Sequence, residues 1–323
     1  MPEHRPLLHV GLQKTGTTWL QRHGFAAVAD FNVLTYSKAT RVIRQIGTYL
    51  DGSLDCGRDG IRQAVDESPA TPVISFEGIS NPWGWTVSRQ RTRAQKLKDL
   101  LPEARVLLVI REQTLMLSSL YAQYVKEGGY APFSVFAEGG APNAQFSKEW
   151  LKYHHHFDAY QSTFGRSNVM VLPYEVLRSD AQRFLETVAT FAGVEYQHVP
   201  INNRRENPTP SRSALRALRM VNRLIRKSAM NPQPLLYTEP RANYARMIAQ
   251  KLPTPSAARL LSRRNLALAT RLVRECADSN YRLCRETDLD LGRWGYELGI
   301  GAGMRTERCP GDRAGRAHAT NRS

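Results

Sequence analysis

The first strongly patterned stretch is an apolar run from Leu7 to Leu12, broken only by His9 and Gly11. Similar runs recur at 72–77, 105–110 and 168–174. The purest is Val106-Leu107-Leu108-Val109-Ile110. It has no polar alternation, so it reads as a strand buried on both faces, as in a parallel sheet. Between the runs the spacing of apolar positions predicts helices at 17–29, 88–101, 113–127, 147–164 and 180–192. Strands alternating with helices predict an α/β fold, with a mainly parallel sheet covered by helices on both faces. After about residue 200 the pattern fragments. Seven prolines between Pro208 and Pro255 punctuate short helical pieces, and one further helix is predicted at 265–287. Residues 301–323 are rich in Gly, Arg and Ala without apolar periodicity, which predicts a disordered tail. The expected organisation is a single domain over 1–300, with a core at 5–200 and a helical basic subregion at 201–300.

The loop after the first run carries the clearest chemical signal. It reads Gln13-Lys14-Thr15-Gly16-Thr17-Thr18-Trp19 and leads into a predicted helix. Strand, glycine-containing loop and helix together make a phosphate cradle, in which loop and helix N–H groups point at one anion. Gly11, Gly16 and Thr18 fit the nucleotide-binding pattern G-x-x-x-x-G-K-[ST], but Thr17 stands where that pattern has its lysine. The lysine lies earlier in the loop, at Lys14. The segment resembles the 5′-phosphosulfate loop of sulfotransferases that use 3′-phosphoadenosine 5′-phosphosulfate (PAPS). That loop usually reads Pro-Lys-Ser/Thr-Gly-Thr-Thr, so Gln13 replaces a proline here.

A second segment agrees. Arg111 follows the strand 105–110, at the edge where open α/β sheets bind ligands. Ser119 lies eight residues further on, in a predicted helix. A guanidinium fits a phosphate fork and a hydroxyl adds a donor. Sulfotransferases carry an Arg and a Ser at this spacing for the 3′-phosphate. The resemblance covers roughly the first 200 residues and is closest to bacterial, carbohydrate-type sulfotransferases. It implies a P-loop-containing three-layer fold and sulfuryl transfer from PAPS to a hydroxyl of a carbohydrate or glycolipid, without a metal.

It also implies roles for residues. Lys14 would neutralise the departing phosphate, Gln13 to Trp19 would cradle the 5′ end, and Arg111 with Ser119 would hold the 3′-phosphate. Trp19 is either an adenine platform or a core anchor. Glu77, after the run Val73-Ile74-Ser75-Phe76, is the candidate general base, although the continuation Gly78-Ile79-Ser80-Asn81-Pro82 departs from the family's usual one. A histidine is the rival base. His154, His155 and His156 lie in a predicted helix and point in different directions, and His9 reads as core. Arg204 and Arg205 are carried over as a basic loop closing on the nucleotide. Trp83 and Trp85 either line an acceptor groove or cover the sheet end. Glu175, in Pro173-Tyr174-Glu175, reads as scaffold.

Charge adds one feature. The net charge is +16, and residues 204–274 hold 16 Lys or Arg against two acids, Glu206 and Glu239. Arg212, Arg216, Arg219, Arg223, Arg226 and Lys227 recur at helical spacing. Like charges on one stripe repel, and an anionic partner relieves the repulsion. An acidic polysaccharide, an anionic membrane surface and the nucleotide's phosphates all qualify. Nucleic acid is not expected, since only Tyr237 and Tyr244 interleave the basic region. Four cysteines without metal spacing, no run long enough to cross a bilayer and no signal-peptide pattern predict a cytoplasmic protein, peripheral to the inner membrane face at most. Two other classes stay open: a P-loop phosphotransferase using Mg-ATP, and a non-enzymatic polyanion-binding protein.

Overall fold

The computed structural model describes residues 5–34, 46–47, 49–50, 58–80, 84–144, 146–198, 211–225, 227–236 and 261–299. Five parallel strands form the sheet: β1 (Leu7–Gly11), β2 (Phe31–Leu34), β3 (Thr71–Ser75), β4 (Arg105–Ile110) and β5 (Val169–Pro173), in the order β2-β3-β1-β4-β5. Leu7 pairs with Val73 on one side and with Arg105 on the other, which makes β1 the central strand. Side chains alternate between two cores. Leu8, Val10, Val106, Leu108 and Ile110 face one, while Leu7, Val73, Leu107 and Val109 face the other. Both faces are therefore covered, which is why these strands read as continuous apolar runs.

The first core is closed by α3 (Val87–Leu100), α4 (Gln113–Lys126), α6 (Tyr153–Phe164) and the C-terminal helices. The second is closed by α1 (Thr17–Trp19) with its continuation and by α8 (Ala181–Ala192). The connection from β1 runs towards β2, whereas that from β4 runs towards β5. The carboxyl ends of β1 and β4 therefore lie at the topological switch point, where a crevice opens.

The predicted fold class holds, and several boundaries move. The helix expected at 17–29 starts at Thr17 but passes into a π turn, Leu20–Gly24, and a 3-10 turn, Phe25–Ala27. β2 and helix α2 (Arg58–Asp66) have no counterpart among the predicted elements. β2 is a four-residue edge strand, too short for its alternation to register. The strand expected at 72–77 stops at Ser75, so Glu77 opens a 3-10 turn, Glu77–Ser80. The helix at 147–164 divides at Lys152, because Trp150 turns into the core and its Nε1 donates to the Ser80 carbonyl (3.0 Å). The helix at 265–287 divides into α10 (Arg263–Arg274) and α11 (Ala277–Thr287) at a tight turn closed by Cys276 N–H to Val273 O (2.8 Å). A short α7 (Tyr174–Ser179) precedes α8, whose N-cap Asp180 accepts from Arg183 N–H. The 301–323 tail lies outside the described residues.

Candidate active site

Three strand ends deliver the candidate residues to one rim. Lys14 follows β1, Glu77 follows β3, and Arg111 follows β4. The β1 loop is held open from within. Thr15 is buried and its hydroxyl donates to the Leu12 carbonyl (2.6 Å). Lys14 and Gly16 both adopt left-handed backbone, with φ 71° and 83°. At Gly16 an added Cβ would also come 2.9 Å from the Tyr174 ring, so the loop needs glycine there on both counts. A Cβ at Gly11 would meet the Thr17 hydroxyl at 2.8 Å. Gln13, Thr18 and Trp19 line the same loop, half-buried. Trp19 packs on the second core and contacts the His23 ring at 6.3 Å, which favours its reading as an anchor.

Arg111 joins the two motifs. Its Nη1 donates to the Lys14 carbonyl (2.9 Å), across 97 residues of chain. Its guanidinium lies over the Tyr174 ring (5.2 Å). Its own carbonyl accepts from the Tyr153 hydroxyl (2.6 Å). The adjacent turn is fixed as firmly. Glu112 caps α4 by accepting from Thr114 and Leu115 N–H, and Glu175 accepts from Glu112 N–H (3.1 Å) and the Tyr296 hydroxyl (3.0 Å). Glu175 is thus scaffold. Gln113 is tied to Asn280 of α11 (2.6 Å), so the C-terminal helices buttress the strand end carrying Arg111.

Ser119 is buried on α4, one turn before Gln123. Gln123 is the residue that sequence reasoning missed. Its Oε1 accepts from Lys14 Nζ (2.9 Å), and its Nε2 donates to Glu127 (2.6 Å). The i, i+4 relation to Ser119 was the available signal.

Electrostatics single out the same groups. Burial pushes the Lys14 amine below the usual lysine range; Lys126 and Arg111 add to this, while Glu77 and Glu127 oppose it. Burial pushes the Glu77 carboxyl up, against the pull of Lys14 and of the nearby Thr17 hydroxyl. The turn that carries Glu77 is pinned by Arg93 Nη1, which donates to the Gly78 and Ile79 carbonyls (3.0 and 3.2 Å). Two buried polar atoms face this rim: Thr17 Oγ1, which lies beside the Glu77 carboxyl, and Arg111 Nε, which has no partner. Both are suited to meet an oxyanion.

Each histidine weighed as a base is engaged by the fold. His9 is buried in β1, its Nδ1 2.7 Å from Ser75 Oγ, and burial lowers its pKa to about 3. His156 bonds the Trp150 carbonyl (2.9 Å) and packs against Trp85. His154 and His155 face Glu286 and Glu149. Trp85 is itself buried, with Nε1 donating to Gln90 (3.0 Å), and covers the sheet end. Trp83, Arg204 and Arg205 lie outside the described residues.

Residues 77–198 match the model of a sulfotransferase family. The match spans less than half of the chain. The matched region starts at Glu77 and contains Arg111 and Ser119; the β1 loop precedes it. No curated protein sequence matches the chain. Among solved structures, a sulfotransferase from Alicyclobacillus acidocaldarius is 19% identical over 63% of this chain and 87% of its own, with a TM-score of 0.46. Mouse sulfotransferase SULT7A1 complexed with PAP is 12% identical over 90% of this chain and 87% of its own, with a TM-score of 0.44. Among the described residues, no helix is long and apolar enough to cross a membrane.

Proposed function

We propose that this protein is a sulfotransferase that moves a sulfuryl group from PAPS to a hydroxyl of a carbohydrate or glycolipid. One observation carries the reading: the Arg111–Lys14 hydrogen bond, which joins the two nucleotide motifs in one crevice. The residues fit the donor. Loop N–H groups of Thr15, Gly16, Thr17 and Thr18 and the threonine hydroxyls would cradle the 5′ end, with the buried Thr17 hydroxyl set beside Glu77. Arg111, whose Nε is unpartnered, would take the 3′-phosphate with Ser119. Gln13 and Trp19 would border the nucleotide. Arg204 and Arg205 would close over it.

Transfer breaks the bond between sulfur and the bridging phosphate oxygen and forms a bond from sulfur to the acceptor oxygen. Lys14 would stabilise charge on the departing phosphate, in a water-poor site where one cation is worth more than in bulk. Glu77 would accept the acceptor's hydroxyl proton; burial lifts its carboxyl towards the range in which a carboxylate is an effective base. Gln123 would hold the Lys14 amine in place. Lys and Arg supply the positive charge this chemistry needs. The carboxylate base is the reason for favouring a carbohydrate-type acceptor.

Calorimetric titration tests the donor site. Adenosine 3′,5′-bisphosphate should bind without metal, and Arg111→Ala should weaken it about 10- to 100-fold, as loss of charge-assisted hydrogen bonds predicts. ADP and Mg-ATP should bind far less well. Preference for Mg-ATP, or unchanged affinity in Arg111→Ala, would overturn the assignment.

A further inference from the structure

We propose that α9 (Arg212–Ile225) and the turn that follows it form a docking surface for an anionic lipid bilayer. The helix is seated by one flank. Ala214, Leu215, Leu218 and Asn222 are buried, and Asn222 Nδ2 donates to the Val125 and Gly129 carbonyls (2.7 and 2.8 Å). Arg219, half-buried, donates to the Tyr130 carbonyl (3.2 Å). Arg212, Arg216 and Arg223 are exposed and have no ion-pair partner among the described residues. Beside this stripe Met220 and Leu224 stand 67% and 40% exposed.

The chain then folds back so that Leu235 N–H meets the Arg223 carbonyl (3.3 Å) and Leu236 N–H meets that of Leu224 (2.5 Å). This places Leu235 and Leu236, 68% and 64% exposed, at the C-terminal end of the same helix, next to Arg223 and Leu224. Six large apolar side chains are exposed among the described residues, and four of them lie here. A soluble surface normally scatters such groups singly.

The pairing of cations with leucines selects the occupant. A polysaccharide or nucleic acid would engage the guanidiniums and leave four apolar side chains in water. A bilayer with anionic headgroups takes both, with the leucines at the acyl boundary and the arginines on phosphates. The patch is rooted on the C-terminal end of α4, the helix that carries Ser119 and Gln123. A bound membrane would therefore stand in a fixed relation to the β1–β4 crevice. The inference is independent of the sulfotransfer reading.

Co-sedimentation of the full chain with phosphatidylcholine vesicles, with and without phosphatidylglycerol, tests it. Binding should require the anionic lipid. Arg212→Gln/Arg216→Gln/Arg223→Gln should lose about two orders of magnitude in partitioning. Met220→Ser/Leu224→Ser/Leu235→Ser/Leu236→Ser should lose vesicle binding while keeping retention on heparin. The single substitution Leu236→Glu provides a milder check of the same face. Failure to bind either vesicle, or unchanged vesicle binding in both the serine variant and Leu236→Glu, would overturn the proposal.

Discussion

Glu77 and Lys14 sit in one crevice with opposite displacements of their proton affinities, both caused first by burial. If the two have the proposed roles, the pH profile follows. Activity should rise as Glu77 loses its proton, at a pH above the usual carboxylate value of 4.5. It should fall as Lys14 loses its proton, at a pH below the usual 10.5. A pH–rate profile of kcat/KM should therefore be a bell narrower than free side chains would give. Glu77→Gln should cost about 10²- to 10⁴-fold in rate and abolish the acidic limb, with little change in bisphosphate affinity. An acidic limb that survives in Glu77→Gln would remove this carboxylate from the role. Lys14 was legible because it sits in a contiguous motif. Gln123 was not, because its role depends on a contact across 109 residues.

Among the elements, α9 shows how one polar side chain can seat a helix. Asn222 is fully buried and donates to the Gly129 carbonyl and to the Val125 carbonyl, which also accepts from Gly128 N–H (3.1 Å). Asn222→Ala should cost about 1–3 kcal/mol, the cost of one abandoned buried acceptor at Gly129. Urea unfolding would read this directly, and a loss below about 1 kcal/mol would mean water replaces the amide. The periodicity of α9 was visible in the chain. That Arg219 leans back onto Tyr130 while its neighbours stay in solvent was not, because helical spacing assigns a stripe without saying where its edge meets the protein.

At the scale of the whole molecule, two histidines among the described residues are held neutral by complete burial, His9 with a pKa near 3 and His156 near 4. Unfolded histidines take up protons near pH 6.5. The folded values are lower, so stability is full above about pH 6.5. It is lost as the pH falls through the window down to about 4 for His156 and about 3 for His9. At pH 5 each histidine should cost about 2 kcal/mol relative to pH 7. Comparing urea midpoints at pH 7 and 5 for the parent and His156→Gln would check this. The variant should lose less stability on acidification, and equal losses would show that His156 does not titrate on unfolding.

Local pattern alone determined the parallel α/β core and the glycine loop after β1, while the Arg111–Ser119 pair rests on the family resemblance. Those signals are contiguous: apolar runs, glycines and short spacings set by the backbone itself. Tertiary structure decided the rest. It shortened the strand before Glu77 and moved that residue into a turn pinned by Arg93. It divided 147–164 because Trp150 found a core position, with His156 and Trp85 buried against each other beside it. It brought Asn280 and Tyr296, far along the chain, behind Arg111. Each depends on which distant group offers a hydrogen bond or a hole to fill, and a linear pattern holds no record of that.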